Sequence, residues 1–407
     1  MPERNARRRR GRENENNSEN EVTERHLQER PANSSLIISI LITSIIFIAV
    51  CAYGHHNSPI NAVEIENVVE VELEGPFAVN EKLSRGKRIA MRAPESCVEA
   101  DDKKLYVGLR DGRVVCIHPS NDGEIGAGKV ENITTGVIQG AVNTSDAWGH
   151  GVPLGIRLRG QSLYVMDAIY GFYVIDLPTK SLKILIEPDD VTPPMKFPND
   201  FDISADEKTV YFTDSSEKYP ITELMSEVLE GSCTSRLIKY DMLTQKLDVV
   251  KDGLCFGNGV QLIDDESMVI VPETTRYRVN WIDTKTWEIK HFLHLPAMPD
   301  NVRRNRRGNY WIGGTSKMSN FVSIIFRFPS LRQILIGLFP SSILLKAADH
   351  KHCMLFEVDN AGEVIETLHD PDGSLAHALS QGTELSDGRI ALGTYSAQFL
   401  AIADIDW

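Results

Sequence analysis

Four short stretches of the sequence each place an oxygen-bearing side chain just before an apolar, strand-like run. These side chains are Glu95, Asn199, Asn258 and Asp300, and Asn301 directly follows the last of them. Calcium is a hard cation that takes roughly six to eight oxygen ligands from carboxylates, amides and water. Two carboxylates also offset the charge of the ion in a site that excludes water. The sequence therefore predicts a calcium site with Glu95, Asn199, Asn258 and Asp300 as its ligands.

The alternative for any one of these stretches is an ordinary turn. Pairs such as Asn199-Asp200 and Asn258-Gly259 are frequent in turns, because Asn and Asp hydrogen-bond locally and tolerate unusual backbone angles. Four similar stretches at recurring positions favour the metal site, since an ion needs several converging oxygens.

Ligands from distant stretches can converge on one ion if the fold is built from repeated units, and the sequence beyond residue 90 contains a repeated pattern. Runs of branched or aromatic residues recur with spacings of 58, 47, 58, 42 and 80 residues, beginning at Leu105, Leu163, Val210, Met268, Tyr310 and Ile390. A four-stranded propeller blade needs roughly 40 to 50 residues. The helical crossovers of a parallel α/β fold are missing from the pattern. We therefore predict an all-β fold, a six-bladed β-propeller over residues 89–407.

The longest interval contains an apolar insertion at about residues 316–350. Two Arg and two Pro residues interrupt it too often for a second membrane span. Its apolar residues recur at the spacing of an amphipathic helix, at Leu331, Ile334, Leu335 and Leu338. The pattern leaves three roles open: a packing element, a lid over the propeller, or a helix that rests on a membrane surface.

The N-terminal region predicts a membrane anchor. Residues 1–35 form a polar tail with eight Arg, and residues 36–53 are 18 residues without a charge, long enough to cross a bilayer at about 1.5 Å per residue. No Lys or Arg follows until Lys82, so the positive-inside rule places the tail in the cytoplasm. We expect a single-pass type II signal anchor, a linker with the first strand over residues 54–88, and an extracellular or luminal propeller at the plasma membrane or endoplasmic reticulum.

Export agrees with two glycosylation sequons, at Asn132 and Asn143, whereas the sequon at Asn33 faces the cytoplasm and should stay bare. Five cysteines lie beyond the span, so at least one stays unpaired within the chain, and no CxxC motif indicates redox or zinc chemistry. The net charge of −14 argues against nucleic acid as a partner and mildly favours cations.

Several motifs in the same order resemble the strictosidine synthase-like family. They cover residues 153–156, 197–200, 211–216, 256–261, 271–275, 299–301 and 368–373. The resemblance extends over roughly residues 30 to 405 and implies kinship with paraoxonases and gluconolactonases, six-bladed propellers with a central calcium ion. In that wider group a Glu before the first blade and Asn and Asp residues on later blades hold the ion. Glu95, Asn199, Asn258, Asp300 and Asn301 match those positions.

The chain departs from the family at two positions. Plant strictosidine synthases use a Glu in the last blade where this chain has Gln381, and an amide cannot take up the proton of an amine–aldehyde condensation. Paraoxonases carry a His where this chain has Leu154, which cannot serve as a base.

Two functions follow from these residues and from the resemblance. The first is a calcium-dependent hydrolase of small apolar esters or lactones, in which Asp300 is the candidate base and His150 and His377 are weaker candidates. The second is a non-catalytic, membrane-anchored binding or adhesion module that keeps calcium as a structural ion. Leu154 and Gln381 favour the second, and the family resemblance favours the first.

Overall fold

The computed structural model describes residues 32–65, 68–138, 149–348 and 351–407. The chain divides into two compact units, and the boundary along the sequence falls between His56 and Asn57. The first unit contains helix α1 (Ala32–His56). Within the described ranges, Ser35–His56 is the one helix long and apolar enough to cross a membrane. Its large apolar side chains are exposed on all sides, as expected of a helix that has lipid for a solvent. Most of the predicted cytoplasmic tail lies outside the described residues.

The second unit is a six-bladed β-propeller made of six four-stranded antiparallel sheets, which confirms the predicted fold. The first three blades consist of β2 (Pro94–Glu99), β3 (Leu105–Leu109), β4 (Val114–Ile117) and β5 (Val130–Asn132); β6 (Pro153–Arg159), β7 (Ser162–Asp167), β8 (Gly171–Asp176) and β9 (Ser181–Ile186); and β10 (Pro198–Ile203), β11 (Thr209–Asp214), β12 (Ser235–Asp241) and β13 (Lys246–Leu254).

The remaining blades complete the ring. Their strands are β14 (Gln261–Leu262), β15 (Met268–Glu273), β16 (Arg278–Asp283) and β17 (Ile289–His294); β18 (Ala297–Arg304), β19 (Tyr310–Lys317), β20 (Cys353–Val358) and β21 (Val364–Asp370); and β22 (Leu379–Glu384), β23 (Ile390–Thr394) and β24 (Phe399–Ala403), with β1 (Gly86–Ala90) as the fourth strand.

The sixth blade closes the ring by joining the two ends of the unit. Strand β1 pairs antiparallel with β24, from Gly86 opposite Ala403 to Ala90 opposite Phe399. This pairing supplies the outermost strand of the last blade from the N-terminal side, so the ring closes through main-chain hydrogen bonds.

The first strands of neighbouring blades contact one another around the ring. Three of the six begin at a Pro, which lacks an N–H and therefore suits the start of a strand. Strands β2, β6, β10, β18 and β22 each carry a shift of register near this start. Such bulges turn individual side chains out of the regular pleat, so the fold can aim polar groups at the centre of the ring.

Two helical insertions interrupt the blades, each between the second and third strands. The third blade contains α2 (Leu224–Glu230), and the fifth contains α3 (Asn320–Arg327), α4 (Pro329–Leu338) and α5 (Ser341–Ala348). The hydroxyl of Ser319 caps α3 by accepting a hydrogen bond from the backbone N–H of Val322 at 3.2 Å. Pro329 opens α4 and Pro340 precedes α5, which divides the insertion into three helices where the sequence predicts one.

Candidate functional site

A cavity of about 320 Å³ lies where the first strands of the blades begin. Its polar floor is formed by Glu95, Asn199, Asn258 and Asp300, together with side chains such as Thr274 and Thr315. Its apolar roof is formed by side chains of helices α2 to α5. The structure thus brings four of the five predicted metal ligands to one cavity.

The two Asn side chains are held by their nitrogens. Asn199 Nδ2 donates to Ser215 Oγ at 2.9 Å, and Asn258 Nδ2 donates to Thr274 Oγ1 at 3.2 Å. Both residues are buried, and the Oδ1 atom of each accepts no hydrogen bond from any described residue. A buried amide oxygen without a partner is costly. Both oxygens are therefore suited to contact a bound ion or small molecule.

The hydroxyls that hold these amides also join neighbouring blades. Ser215 Oγ donates to the carbonyl of Gly257 at 2.6 Å, and Thr274 Oγ1 donates to the carbonyl of Pro299 at 2.8 Å. Thr213 Oγ1 donates to the carbonyl of Asn258 at 2.5 Å. These bonds fix the third, fourth and fifth blades against one another at the floor, so the Asn side chains keep one orientation.

The two carboxylates of the floor are close enough to repel each other. Burial raises the pKa of Asp300 well above its usual range, and the charge of Glu95 raises it further. Burial also raises the pKa of Glu95 to about 7, although Arg110 partly offsets this. Asp300 is 3% exposed, and its Oδ1 atom accepts no hydrogen bond within the described part of the chain. Two facing buried carboxylates are unfavourable unless a proton or a cation lies between them.

The donor set fits calcium better than a softer metal. The described residues contain no cluster of three or more His, Cys, Asp and Glu side chains that could hold a metal. Any ion at the floor would depend on amide oxygens as well as on the two carboxylates, and oxygen-only ligation is typical of Ca²⁺. The unpartnered Oδ1 atoms of Asn199, Asn258 and Asp300 meet that requirement.

Asp200 lies behind the floor and does not line the cavity. Arg303 donates to its Oδ2 at 2.7 Å and to its Oδ1 at 3.0 Å, and Arg157 approaches within 3.3 Å. Burial raises the pKa of Asp200, but the two Arg side chains outweigh it and hold that pKa below its usual range. Asp200 is therefore committed to a buried ion pair next to Asn199.

The other candidate residues lie in different surroundings. Asn301 is fully buried but does not line the cavity, and neither do His150 and His377. Leu154 does line the cavity, at the position where the family resemblance implies a base. Gln381 is buried outside the cavity, where its amide donates to the carbonyl of Cys97 at 2.8 Å.

A buried arginine holds the roof in place. Arg332 of α4 donates to the carbonyls of Leu229 and Glu230 at 3.1 and 3.3 Å, and it also donates to the carbonyl of Val63. It thereby satisfies carbonyls at the C-terminal end of α2, which the helix itself leaves without partners. The roof helices are consequently packed against each other as one layer.

Several residues of the site carry no recognisable signal in the sequence. Arg110 and Tyr395 line the cavity from the first and last blades, and α2 contributes to the roof. Arg110 directly follows the apolar run that begins at Leu105 and belongs to no motif of its own, and α2 has only seven residues, too few for a helical period to stand out. Arg110 lies near Glu95 because Pro94 of β2 pairs with Leu109 of β3 within the first blade, a register that the sequence does not reveal.

One of the two predicted glycosylation asparagines lies within the described residues, and two of the five cysteines beyond the apolar helix are paired. Asn132 is exposed at the end of β5, and Asn143 lies outside the described residues. Cys233 and Cys255 form a disulfide, whereas Cys97, Cys116 and Cys353 are free and buried.

The chain matches a family model described as strictosidine synthase over residues 199–285 and one described as strictosidine synthase-like, N-terminal, over residues 75–117. The adipocyte plasma membrane-associated protein of Rattus norvegicus is 30% identical over 342 residues, which cover 80% of this chain and 88% of that protein. Its Homo sapiens counterpart is 30% identical over 344 residues, with 81% and 80% covered. Strictosidine synthase-like 10 of Arabidopsis thaliana is 32% identical over 272 residues, with 63% and 70% covered.

Solved structures with a similar fold include regucalcin from Agrobacterium tumefaciens, described as a calcium-binding protein. The TM-score is 0.50 at 10% sequence identity, and the match covers 79% of this chain and 94% of that one. At such low identity the likeness shows the fold alone.

Proposed function

The chain belongs to the strictosidine synthase-like family, and from this premise we propose that it is a membrane-anchored, calcium-dependent hydrolase of small apolar esters or lactones. One observation carries the proposal. Three unpartnered buried oxygens, on Asn199, Asn258 and Asp300, lie with Glu95 on the floor of one apolar cavity.

Glu95, Asn199, Asn258 and Asp300 would hold the ion, and we retain Asn301 only as a neighbour of Asp300. When bound, calcium supplies a Lewis acid that polarises a carbonyl and stabilises negative charge on its oxygen. The description of regucalcin, which has a similar fold, as a calcium-binding protein agrees with this assignment.

Asp300 is the proposed base. A general base must lie within reach of the proton that it takes up, and Asp300 lines the cavity where the attacking water would lie. Its carboxylate would take a proton from the attacking water, and the apolar roof would limit access of further water. No His lines the cavity among the described residues, so a carboxylate is the available base.

Amine–aldehyde condensation is not part of the proposal, because Gln381 is an amide and is buried away from the cavity. The alternative is a binding module that keeps calcium as a structural ion. Leu154 favours it, because an apolar side chain lines the cavity where a His base would stand in paraoxonases.

Membrane attachment through α1 is also proposed. The exposed apolar surface of α1 and the names of the relatives agree with a single span. The arginine-rich tail favours a type II orientation with an extracellular or luminal propeller.

The test is hydrolysis of phenyl acetate and a γ-lactone by the full chain in detergent, with and without EGTA. We expect activity that chelation abolishes and added calcium restores. Asp300→Ala should lower kcat/KM at least a hundredfold, since general base catalysis contributes about 10²–10⁴-fold. Asp406→Ala, at a fully exposed acidic residue, is the matched control. Calcium binding without hydrolysis would favour the binding module.

A further inference from the structure

Resting on the proposed function, we propose that the preferred substrate is a medium-chain acyl ester. Its unbranched aliphatic chain, of about eight carbons, lies under the apolar roof. Ile325 and Leu335 on the roof helices set the preferred chain length. The evidence is the division of the cavity into a polar end and an apolar end, its volume, and the way the roof is held.

The cavity is polar at one end only. Glu95, Asn199, Asn258 and Asp300 lie on the floor, whereas every described side chain that α2 to α5 contribute to the lining is apolar. A short polar substrate would leave this apolar surface in contact with water. A ligand with one polar group and a long apolar part would match both ends.

The volume sets the size of that apolar part. An engineered cavity of about 150 Å³ holds benzene, which corresponds to about 25 Å³ for each carbon. The cavity here, at about 320 Å³, therefore holds about twelve non-hydrogen atoms on the same scale. A methyl ester of octanoic acid has about that many atoms, which places the optimum near eight carbons in the acyl chain.

Hydrogen bonds hold the roof helices in place, so the cavity can discriminate between acyl chains of different length. Arg332 fixes α4 to the end of α2, and Gln333 Nε2 donates to the carbonyl of Ile60 at 3.2 Å. Ile325 is 8% exposed and packs in the same apolar cluster as Met225 and Leu229. A larger side chain at Ile325 must therefore take space from the cavity.

Hydrolysis fixes the direction in which the ester lies. The oxygen of water bonds to the acyl carbon, the ester C–O bond breaks, and the protons of water pass to Asp300 and to the leaving alcohol. The acyl carbon must then lie at the floor beside Asp300. The Arg110 guanidinium, which also lines the cavity, would face the carboxylate product.

The first experiment measures chain-length preference with the full chain in lipid nanodiscs. The substrates are methyl acetate, butyrate, hexanoate, octanoate and dodecanoate, and released acid is titrated against an empty-nanodisc blank. We expect kcat/KM to rise about two- to fourfold for each methylene up to octanoate, as buried methylenes contribute binding energy, and to fall at dodecanoate.

Two tryptophan variants on the same helix make the test specific. Ile325→Trp fills the cavity, so we expect it to move the optimum to butyrate or hexanoate and to lower the octanoate-to-butyrate ratio at least tenfold. Ile324→Trp is the matched control, because Ile324 is 50% exposed and does not line the cavity. Equal rates for acetate and octanoate, or an unchanged profile in Ile325→Trp, would overturn the proposal while leaving ester hydrolysis intact.

The second experiment measures binding without hydrolysis. Isothermal titration calorimetry compares the binding of octanoate with that of acetate, again with wild type, Ile325→Trp and Ile324→Trp. Binding of octanoate but not acetate, lost only in Ile325→Trp, would support the chain site even if no ester were cleaved. In that case the hydrolase assignment would fail and the ligand class would stand. Failure of octanoate to bind the wild type would contradict the chain site.

Discussion

At the scale of single residues, carboxylates in the same protein differ because their neighbours differ. Asp200 lies between two Arg side chains and keeps its charge in an ion pair, whereas Asp300 faces Glu95 and lacks a partner for Oδ1. Four of the five residues predicted as metal ligands line one cavity, although Glu95, Asn199 and Asp300 lie within the first strands of their blades and not before them as the sequence suggests. The sequence does not separate Asn301 from Asp300, since adjacent residues differ only in how the bulged strand turns them.

The residue scale also makes a prediction about pH through Glu227 on α2. Burial raises the pKa of Glu227 to about 8, although Ser216 donates a hydrogen bond to it, and the charges of Glu230 and Asp214 raise it further. The folded state then holds a proton that the unfolded state has lost. Stability should therefore decline as the pH rises from about 4.3 to about 8.

We expect Glu227→Gln to flatten this decline and to raise the melting temperature at pH 8, because an amide needs no proton there. Thermal unfolding of the full chain between pH 5 and 8 measures the effect. Glu223→Gln, at an exposed position just before the helix, is the control and should keep the wild-type slope. Parallel curves for wild type and Glu227→Gln would contradict the assignment.

At the scale of elements, the six apolar runs identified in the sequence coincide with the second strand of each blade. These strands are buried along most of their length and read as continuous apolar runs, which makes them the easiest to recognise. The outer strands are shorter or more polar, and the pairing of β1 with β24 is invisible to local patterns because the partners are more than 300 residues apart. The apolar residues of the insertion in the fifth blade recur at helical spacing, but Pro329 and Pro340 divide this insertion into three helices.

The roof depends on Arg332, which gives a prediction at this scale. Arg332→Ala removes hydrogen bonds from a charged donor to three carbonyls, each worth about 1.5–3 kcal/mol. We expect faster amide hydrogen exchange in α3 and α4, by tenfold or more, with little change in the blades. Hydrogen exchange measured by mass spectrometry resolves these segments.

Arg327→Ala is the matched control for Arg332→Ala, because Arg327 is exposed at the end of α3. It should leave exchange in the roof unchanged. Equal protection of α4 in wild type and Arg332→Ala would show that apolar packing alone holds the roof.

At the scale of the whole molecule, the chain contains an apolar helix, a closed six-bladed ring and a roofed cavity. The ring is recognisable in the sequence from its recurring apolar runs, and the apolar helix is recognisable from a long segment without charged residues. The roofed cavity is lined by residues from all six blades and from two helical insertions, and such contacts leave little trace in any one segment.

Orientation in the membrane predicts the pattern of glycans. Asn132 is exposed, so an exported propeller should carry a glycan there and at Asn143, with none at Asn33. Glycosidase treatment should lower the apparent mass of wild type in two steps that Asn132→Gln and Asn143→Gln remove one at a time. A glycan at Asn33, or a bare propeller in a secretory host, would reverse the assigned orientation.

If Glu95, Asn199, Asn258 and Asp300 hold one calcium ion, as we propose, the melting temperature of the full chain should differ between calcium and EGTA, and measuring it is the most direct test. An ion that binds only the folded ring stabilises it by about 2.7 kcal/mol at a hundredfold excess over Kd. We predict that EGTA lowers the melting temperature, that added calcium restores it, and that Asp300→Ala abolishes this response while Asp406→Ala preserves it. A wild type that melts at one temperature under both conditions, indistinguishable from Asp300→Ala in its response, would show that these four side chains hold no ion.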